Sequence, residues 1–267
     1  MSQLVSTNHH KSHPKIIAAI PCLNEGQFIS DIVTRARRYV DRVIVVDDGS
    51  TDNTCEIAKA AGAEVIRHER RQGPGVATRS GFEAAKTYDA DILITLDGDG
   101  QHNPDEIPQV LAPIFRGEAD LVIGSRFLQP NLNQSQPISI NLNKSQPVST
   151  NLNHAPKYRK FGIDIINWLY NFGSKFRVSD SQSGFRAHSR KLFEAIDITE
   201  KGFGFSVQVL IQARQKGFLV KEVPISCIYH PESSSLNPMA HGLGVAWGVV
   251  KLRLRNELLT PKRRKKG

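Results

Sequence analysis

Two carboxylates stand one residue apart at the end of a short apolar run, Ile92-Leu93-Ile94-Thr95-Leu96-Asp97-Gly98-Asp99-Gly100-Gln101-His102. The run is short and rich in β-branched residues, so it reads as a buried parallel strand. Successive side chains of an extended chain alternate in direction. Asp97, Asp99 and Gln101 are therefore spaced to present three oxygen ligands together at the strand's carboxyl end. Hard oxygen ligands of this kind suit Mg²⁺ or Mn²⁺ that also holds a diphosphate. Open α/β sheets take their ligands at that rim. Asp-Gly-Asp-Gly is also an ordinary turn sequence, because both residue types favour turns for backbone reasons. The rest of the chain weighs toward the ligand reading.

The elements that must position these groups alternate regularly. Lys15 to Ile20 reads as a strand that ends at Pro21, and Asn24-Glu25-Gly26 then forms a strand-to-helix turn. Phe28 to Tyr39 has helical spacing. Arg42 to Val46 is a second strand, ending in Asp47-Asp48-Gly49-Ser50. Ser50 or Thr51 is the expected cap of a helix from Thr54 to Ala61, which stops at Gly62. Glu64 to Arg67 is a third strand. A basic loop with Gly73 and Gly75 opens a helix from Ala77 to Tyr88, and a helix amino end favours an anion. A helix near Pro104 to Arg116 and a strand from Leu121 to Arg126 follow the acidic motif. Such alternation predicts an α/β fold, a mostly parallel central sheet flanked by helices. Parallel strands share a direction, so Glu25, Asp48, Asp97, Asp99 and Arg126 are brought to one rim.

Further on, Ile163 to Phe176 reads as an apolar-aromatic helix and Ser179 to Arg186 as a polar turn. Ser206 to Gln215 reads as a helix, and Phe218 to Ile225 as an edge strand whose pairing Pro224 limits. Residues 129–155 break the pattern. Gln136-Pro-Ile-Ser-Ile-Asn-Leu-Asn-Lys-Ser and Gln146-Pro-Val-Ser-Thr-Asn-Leu-Asn-His-Ala are near-copies, preceded by a shortened one. Two or three copies are too few for a solenoid core. The stretch reads as a low-complexity insertion without chemistry of its own.

With 267 residues and 39% hydrophobic content, the chain can bury a substantial core. Its three cysteines, Cys22, Cys55 and Cys227, lie far apart, a cytoplasmic pattern rather than a disulfide or zinc framework. Residues 1–14 read as a disordered leader. There is no apolar signal region and no run long enough to span a membrane. The formal charge is +9, and from Lys251 to Gly267 eight Lys/Arg stand against Glu257, so the tail carries +7 of it. A basic tail behind the apolar segment 242–250 suggests a peripheral, in-plane contact with an anionic membrane surface.

Several motifs agree in order. They are Pro21-x-x-Asn24-Glu25, Asp47-Asp48-Gly49-Ser50-x-Asp52-x-Thr54, Arg71-x-Gly73-x-Gly75-x-Ala77, Asp97-x-Asp99-x-Gln101, Gly124-Ser125-Arg126, Asp180-x-x-Ser183-Gly184-Phe185-Arg186 and Glu222-Val223-Pro224-Ile225. Together they make the chain resemble the family 2 inverting glycosyltransferases, most of all the dolichol-phosphate mannosyltransferase type of polyprenyl-phosphate glycosyltransferase. The resemblance covers about residues 15–235, apart from the insertion. It implies a GT-A fold, a nucleotide-sugar donor, a divalent metal and a polyprenyl-phosphate acceptor. By that likeness Pro21, Asn24, Glu25, Asp48, Gly73, Gly75 and Asp97 bind the donor nucleotide. Asp97, Asp99 and Gln101 hold the metal–diphosphate unit, Arg126 and Arg159 bind the acceptor phosphate, and Asp180 lines the sugar side. A saccharide or lipid hydroxyl is the alternative acceptor, and Asp180 would then be the candidate base. Two departures stand out: Gln208 replaces a frequent Glu, and Tyr229 to Leu236 lacks the usual Arg and Ser-Lys.

Two other classes fit less well. Aspartate-nucleophile phosphatases want Thr or Val where Gln101 stands, and place their motif near the start of the chain. A nucleic-acid-binding role would rest on the tail alone, because the body is nearly neutral.

Overall fold

A computed structural model describes residues 13–128 and 177–228, with positions 164, 167, 168, 170 and 171 between them. Seven strands form one sheet in the order β3-β2-β1-β4-β6-β5-β7. They are β1 (Ile16–Cys22), β2 (Arg42–Asp47), β3 (Glu64–Arg67), β4 (Ile92–Thr95), β5 (Leu121–Ser125), β6 (Arg186–Ser189) and β7 (Val220–Pro224). All neighbouring pairs are parallel except those that β6 makes with β4 and β5.

The helices are α1 (Ile29–Ala36), α2 (Thr54–Ala60), α3 (Pro74–Thr87), α4 (Ile107–Phe115), α5 (Arg190–Ala195) and α6 (Phe205–Gln215). They cover both faces, and strand alternation decides which residue meets which layer. Ile17 and Ala19 of β1 join Phe82 of α3, Phe193 of α5 and Leu210 of α6 in one core. Ile16, Ala18 and Ile20 join Ile29 and Ile32 of α1, Ala58 of α2 and Leu111 of α4 in the other. A strand buried on both faces reads as a continuous apolar run, which is why β1, β2 and β4 were plain in the sequence.

Three expectations change. The polar turn ends earlier than the sequence suggests, because Arg186-Ala187-His188-Ser189 is a strand and α5 follows it at once. The segment looks too polar for a central strand. Yet Arg186 is 3% exposed and His188 is 2% exposed, so position between two strands overrides propensity. Secondly, Ser50 and Thr51 do not cap α2. The Ser50 hydroxyl turns back to Asp47, and the Thr54 N–H donates to Asp52 Oδ1 at 3.0 Å. Thirdly, β4 stops at Thr95, so the acidic motif lies beyond the strand. The helix expected over 163–176 is present at Asp164, Asn167, Trp168, Tyr170 and Asn171. The leader through residue 12, the 129–155 insertion, Arg159 and the 236–267 segment lie outside the described residues. Among the described residues, no helix is long and apolar enough to cross a membrane.

Candidate active site

The carboxyl ends of β1, β2 and β4 meet in one cleft, and short hydrogen bonds lock their turns to one another. Asn24, in the left-handed region at φ 58°, accepts the Thr51 N–H through Oδ1 at 2.8 Å, and its own N–H donates to Ser50 Oγ. The Glu25 N–H donates to Thr54 Oγ1 at 2.8 Å and the Gly26 N–H to Asp52 Oδ2 at 3.2 Å. The first turn is thus held by the second, and Glu25 is carried into the cleft.

Asp48 is 4% exposed and fully engaged. Its Oδ1 accepts the His68 Nδ1–H at 2.7 Å and the Gln72 N–H at 2.9 Å, and its Oδ2 accepts the Gly73 N–H at 2.8 Å. The carboxylate therefore holds the glycine loop in place. The loop glycines have their own reason. A Cβ on Gly75 would sit 1.9 Å from the Glu200 carbonyl oxygen, and one on Gly73 would sit 2.5 Å from that of Lys201. The Gly75 N–H donates to Lys201 O at 2.9 Å. The close approach read from the sequence as a phosphate cradle is, at Gly75, a contact with the protein's own 200–201 backbone. Gln208 holds that backbone from the other side, its Oε1 accepting the Thr199 and Glu200 N–H groups.

Asp97 to Gln101 form a turn rather than an extended run. Gly100 takes φ 75°, and Asp99 Oδ1 accepts the Gln101 N–H at 3.0 Å. Asp97, Asp99 and Gln101 therefore do not share a face by strand alternation, contrary to what the sequence suggests. What aims Asp97 is packing. Gly184 lies so close that a Cβ there would be 2.3 Å from Asp97 Oδ1. The Asp97 N–H donates to His102 Nδ1 at 3.2 Å. His102 is buried against Phe185 and accepts at Nδ1, so the ring is neutral and carries its proton on Nε2. Burial holds its pKa down to about 4. His102 and Gly184 are site-building residues; the sequence marks Gly184 only as a member of a motif and His102 only as the neighbour of one.

The cleft is crowded with negative charge. Asp97 has protein on most sides, yet 46% of its side chain remains open. Burial pushes its carboxyl above the ordinary range, against the pull of Arg126 and Arg186. Asp99 is pushed up by burial and by the Asp97 charge. Glu25 rises to about 7 through burial and the Asp99, Asp52 and Asp97 carboxylates. Among the described residues, no three His, Cys, Asp or Glu side chains converge tightly enough to cage a metal.

Across the cleft, Arg126 makes a two-pronged pair with Asp180: Nε to Oδ2 at 2.7 Å and Nη2 to Oδ1 at 2.8 Å. Asp180 is fully buried, and although burial works upward, Arg126 and Arg186 hold its carboxyl below the ordinary range. Both oxygens are taken by Arg126. In this arrangement Asp180 orients the guanidinium through both of its oxygens. Arg186 props up the 181–184 turn from below, donating to the carbonyls of Ser181, Ser183 and Ser206 at 2.8–2.9 Å.

Two outcomes are expected. Gly184→Ala must displace the Asp97 carboxylate, so it should abolish metal-dependent nucleotide binding in calorimetry while circular dichroism stays native. Retained binding would show that the Gly184 contact does not set Asp97. Glu25 has a folded pKa of about 7, above its ordinary 4.5. A raised pKa makes protonated Glu25 favour the fold, and that contribution is lost as pH rises through 7. The melting temperature of Glu25→Gln relative to the parent should therefore climb between pH 5 and pH 8, measured without metal. A pH-independent difference would contradict the crowding.

Comparison with known proteins agrees with this layout. The model of glycosyl transferase family 2 matches residues 17–193. A UDP-N-acetylglucosamine–dolichyl-phosphate N-acetylglucosaminyltransferase of Methanococcus voltae is 31% identical over 253 residues, covering 87% of this chain and 91% of that protein. An undecaprenyl-phosphate mannosyltransferase of Micrococcus luteus is 27% identical over 265 residues, covering 90% and 99% respectively. Among solved structures, glucosyl-3-phosphoglycerate synthase of Mycobacterium tuberculosis, crystallised with Mn²⁺, UDP and phosphoglyceric acid, superposes with a TM-score of 0.68. The identity is 20%, over 93% of this chain and 80% of that one, and it confirms the GT-A fold. With the motifs, the strand order and a family match over most of the sheet in agreement, the chain belongs to glycosyl transferase family 2 and is a glycosyltransferase.

Proposed function

We propose that this glycosyltransferase moves a sugar, with inversion, from a nucleoside-diphosphate donor to a polyprenyl phosphate. The observation that carries the reading is the division of charge in one cleft: Glu25, Asp97 and Asp99 on one side, the Arg126–Asp180 pair on the other. The acceptor phosphate oxygen forms the new bond to the anomeric carbon, and the bond to the nucleoside diphosphate breaks on the opposite face. A phosphate is already anionic at neutral pH, so it needs no base. It needs a cation to position it, and an arginine fork matches its oxygens. Asp180 keeps the Arg126 fork in one orientation, which lowers the entropy cost of placing the acceptor. A hydroxyl acceptor would need a carboxylate open to take its proton, and Asp180 is closed by its partner.

The acidic side fits a divalent cation, because burial, and for Glu25 and Asp99 the neighbouring carboxylates as well, leave Glu25, Asp97 and Asp99 with raised pKa values that an added positive charge would relieve. Two carboxylates without a complete cage are what Mg²⁺ or Mn²⁺ arriving with a diphosphate uses. Asp97 and Asp99 would hold it, with Gln101 beside them, and its chemistry is charge neutralisation of the departing diphosphate. Pro21, Asn24, Glu25 and Asp48 wall the base and ribose side, Asp48 through its grip on residues 72–73. Arg159 joins Arg126 at the acceptor in this reading. The work is done on the cytoplasmic membrane face, where the basic tail meets anionic lipid.

A thermal-shift screen of UDP-, GDP- and dTDP-sugars with Mn²⁺ or Mg²⁺ tests the donor side. One nucleotide class should raise the melting temperature of the parent by mass action and leave Asp99→Ala unmoved. No stabilisation of the folded parent by any of them would overturn the donor assignment. The tail is checked by cosedimentation with anionic vesicles, which should fall with rising salt and vanish when residues 251–267 are removed.

A further inference from the structure

We infer that Glu222, on the edge strand and remote from the donor side, is the positioning residue for Arg126. The inference deepens the reading above and rests on it. Glu222 faces Ile123 across the β5–β7 pair and lies on the same face as Val220, the face on which Val178 and Tyr170 pack. Its half-buried carboxylate has been drawn inward rather than left to water. Burial and the Asp180 charge push its pKa up, and three donors hold it.

Two separate routes run from that carboxylate to Arg126. The first passes through peptide groups. The Ser179 N–H is shared between Oε2 at 2.8 Å and Oε1 at 3.0 Å, and the Asp180 N–H donates to Oε1 at 3.0 Å. This fixes the backbone of the aspartate whose carboxylate grips the Arg126 side chain. The second route passes through hydroxyls. The Phe127 N–H donates to Ser125 Oγ at 3.2 Å, Ser125 Oγ lies 2.7 Å from Ser179 Oγ, and the Ser179 hydroxyl donates to Glu222 Oε1 at 3.0 Å. Only one proton order satisfies this chain. Ser179 gives its proton to the carboxylate, so Ser125 must give its proton to Ser179 and accept from Phe127. The residues before and after Arg126 are thereby tied to the same acceptor that orients Asp180. A glutamine disturbs this tie even with its oxygen at the Oε1 position, because its amide then meets the Ser179 N–H that Oε2 accepts at 2.8 Å. One of its two termini carries N–H groups, and the Ser179 N–H approaches both positions.

The test measures steady-state kinetics with the sugar nucleotide identified by the screen and a water-soluble short-chain prenyl monophosphate. It uses the full chain as parent, Glu222→Gln, Ser179→Ala and Arg126→Ala. Glu222→Gln should raise KM for the prenyl phosphate by about tenfold and leave donor KM unchanged, because a loosened fork loses acceptor binding alone. A merely structural role would lower the melting temperature without separating the two KM values. Ser179→Ala keeps the peptide donors and removes the hydroxyl chain. It should raise acceptor KM less than Glu222→Gln, and it replaces that variant if the latter does not fold. Unchanged acceptor KM in the folded Glu222→Gln, or in Ser179→Ala where that stands in, overturns the inference, provided Arg126→Ala does raise it. If Arg126→Ala leaves acceptor KM unmoved, the assignment of Arg126 to the acceptor falls, and the inference falls with it.

Discussion

Like charges held together against their repulsion set the terms for the rest of this molecule. Glu25, Asp97 and Asp99 come from turns after two different strands; the Asp97 charge raises the cost of ionising Asp99, and both raise that of Glu25. Left to themselves such turns would splay apart. They stay together because every turn is tied by its backbone to a neighbour: Glu25 through Thr54, Asn24 through Thr51, Asp97 through His102. Arg35 of α1 extends the same tie to Asn103 and Asp105, just past the acidic motif. The bonds to Thr54, Thr51 and His102 join neutral groups, so they do not depend on whether the cleft's carboxylates are ionised.

The opposite wall solves the converse problem. A single guanidinium must point in one direction although its own side chain is long and flexible. Asp180 supplies the direction and is itself aimed by groups on β7 and on the helical segment. Asn167 donates to Ser179 O and accepts the Ser181 N–H, while Asn171 makes a matching pair with Val178. The segment 178–181 has little regular structure of its own, and side chains satisfy its peptide groups where a sheet would otherwise do so.

Much of this was legible in the sequence. Apolar runs that end at Pro21 or in Asp or Arg announce β1, β2, β4 and β5 and the rim they share, because strands buried on both faces leave a continuous apolar pattern. What escaped was whatever depended on distant partners. Arg186-Ala187-His188-Ser189 shows no strand periodicity, and only its place between β4 and β5 makes it one. Gly73 and Gly75 look like phosphate glycines, and nothing local says that residues 200–201 will lie against them. Asp180 looks like a free acid until Arg126, 54 positions earlier, is found on both its oxygens. The reading of Asp-x-Asp-x-Gln by strand alternation has the wrong geometry, since β4 ends at Thr95.

The antiparallel strand β6 carries a consequence for how such a chain diversifies. Because it runs against β5, its amino end lies at the same rim as the carboxyl end of β5. Ser125 and Arg186 therefore stand at the same rim, the two ends of the intervening sequence. The entropic cost of closing such an excursion grows only logarithmically with its length. Sequence can thus be added there, as the decapeptide copies of 129–155 have been, while strand register and both cores stay as they are. An insertion there begins and ends beside the Arg126–Asp180 pair, so that rim can be elaborated by splicing rather than by redesign.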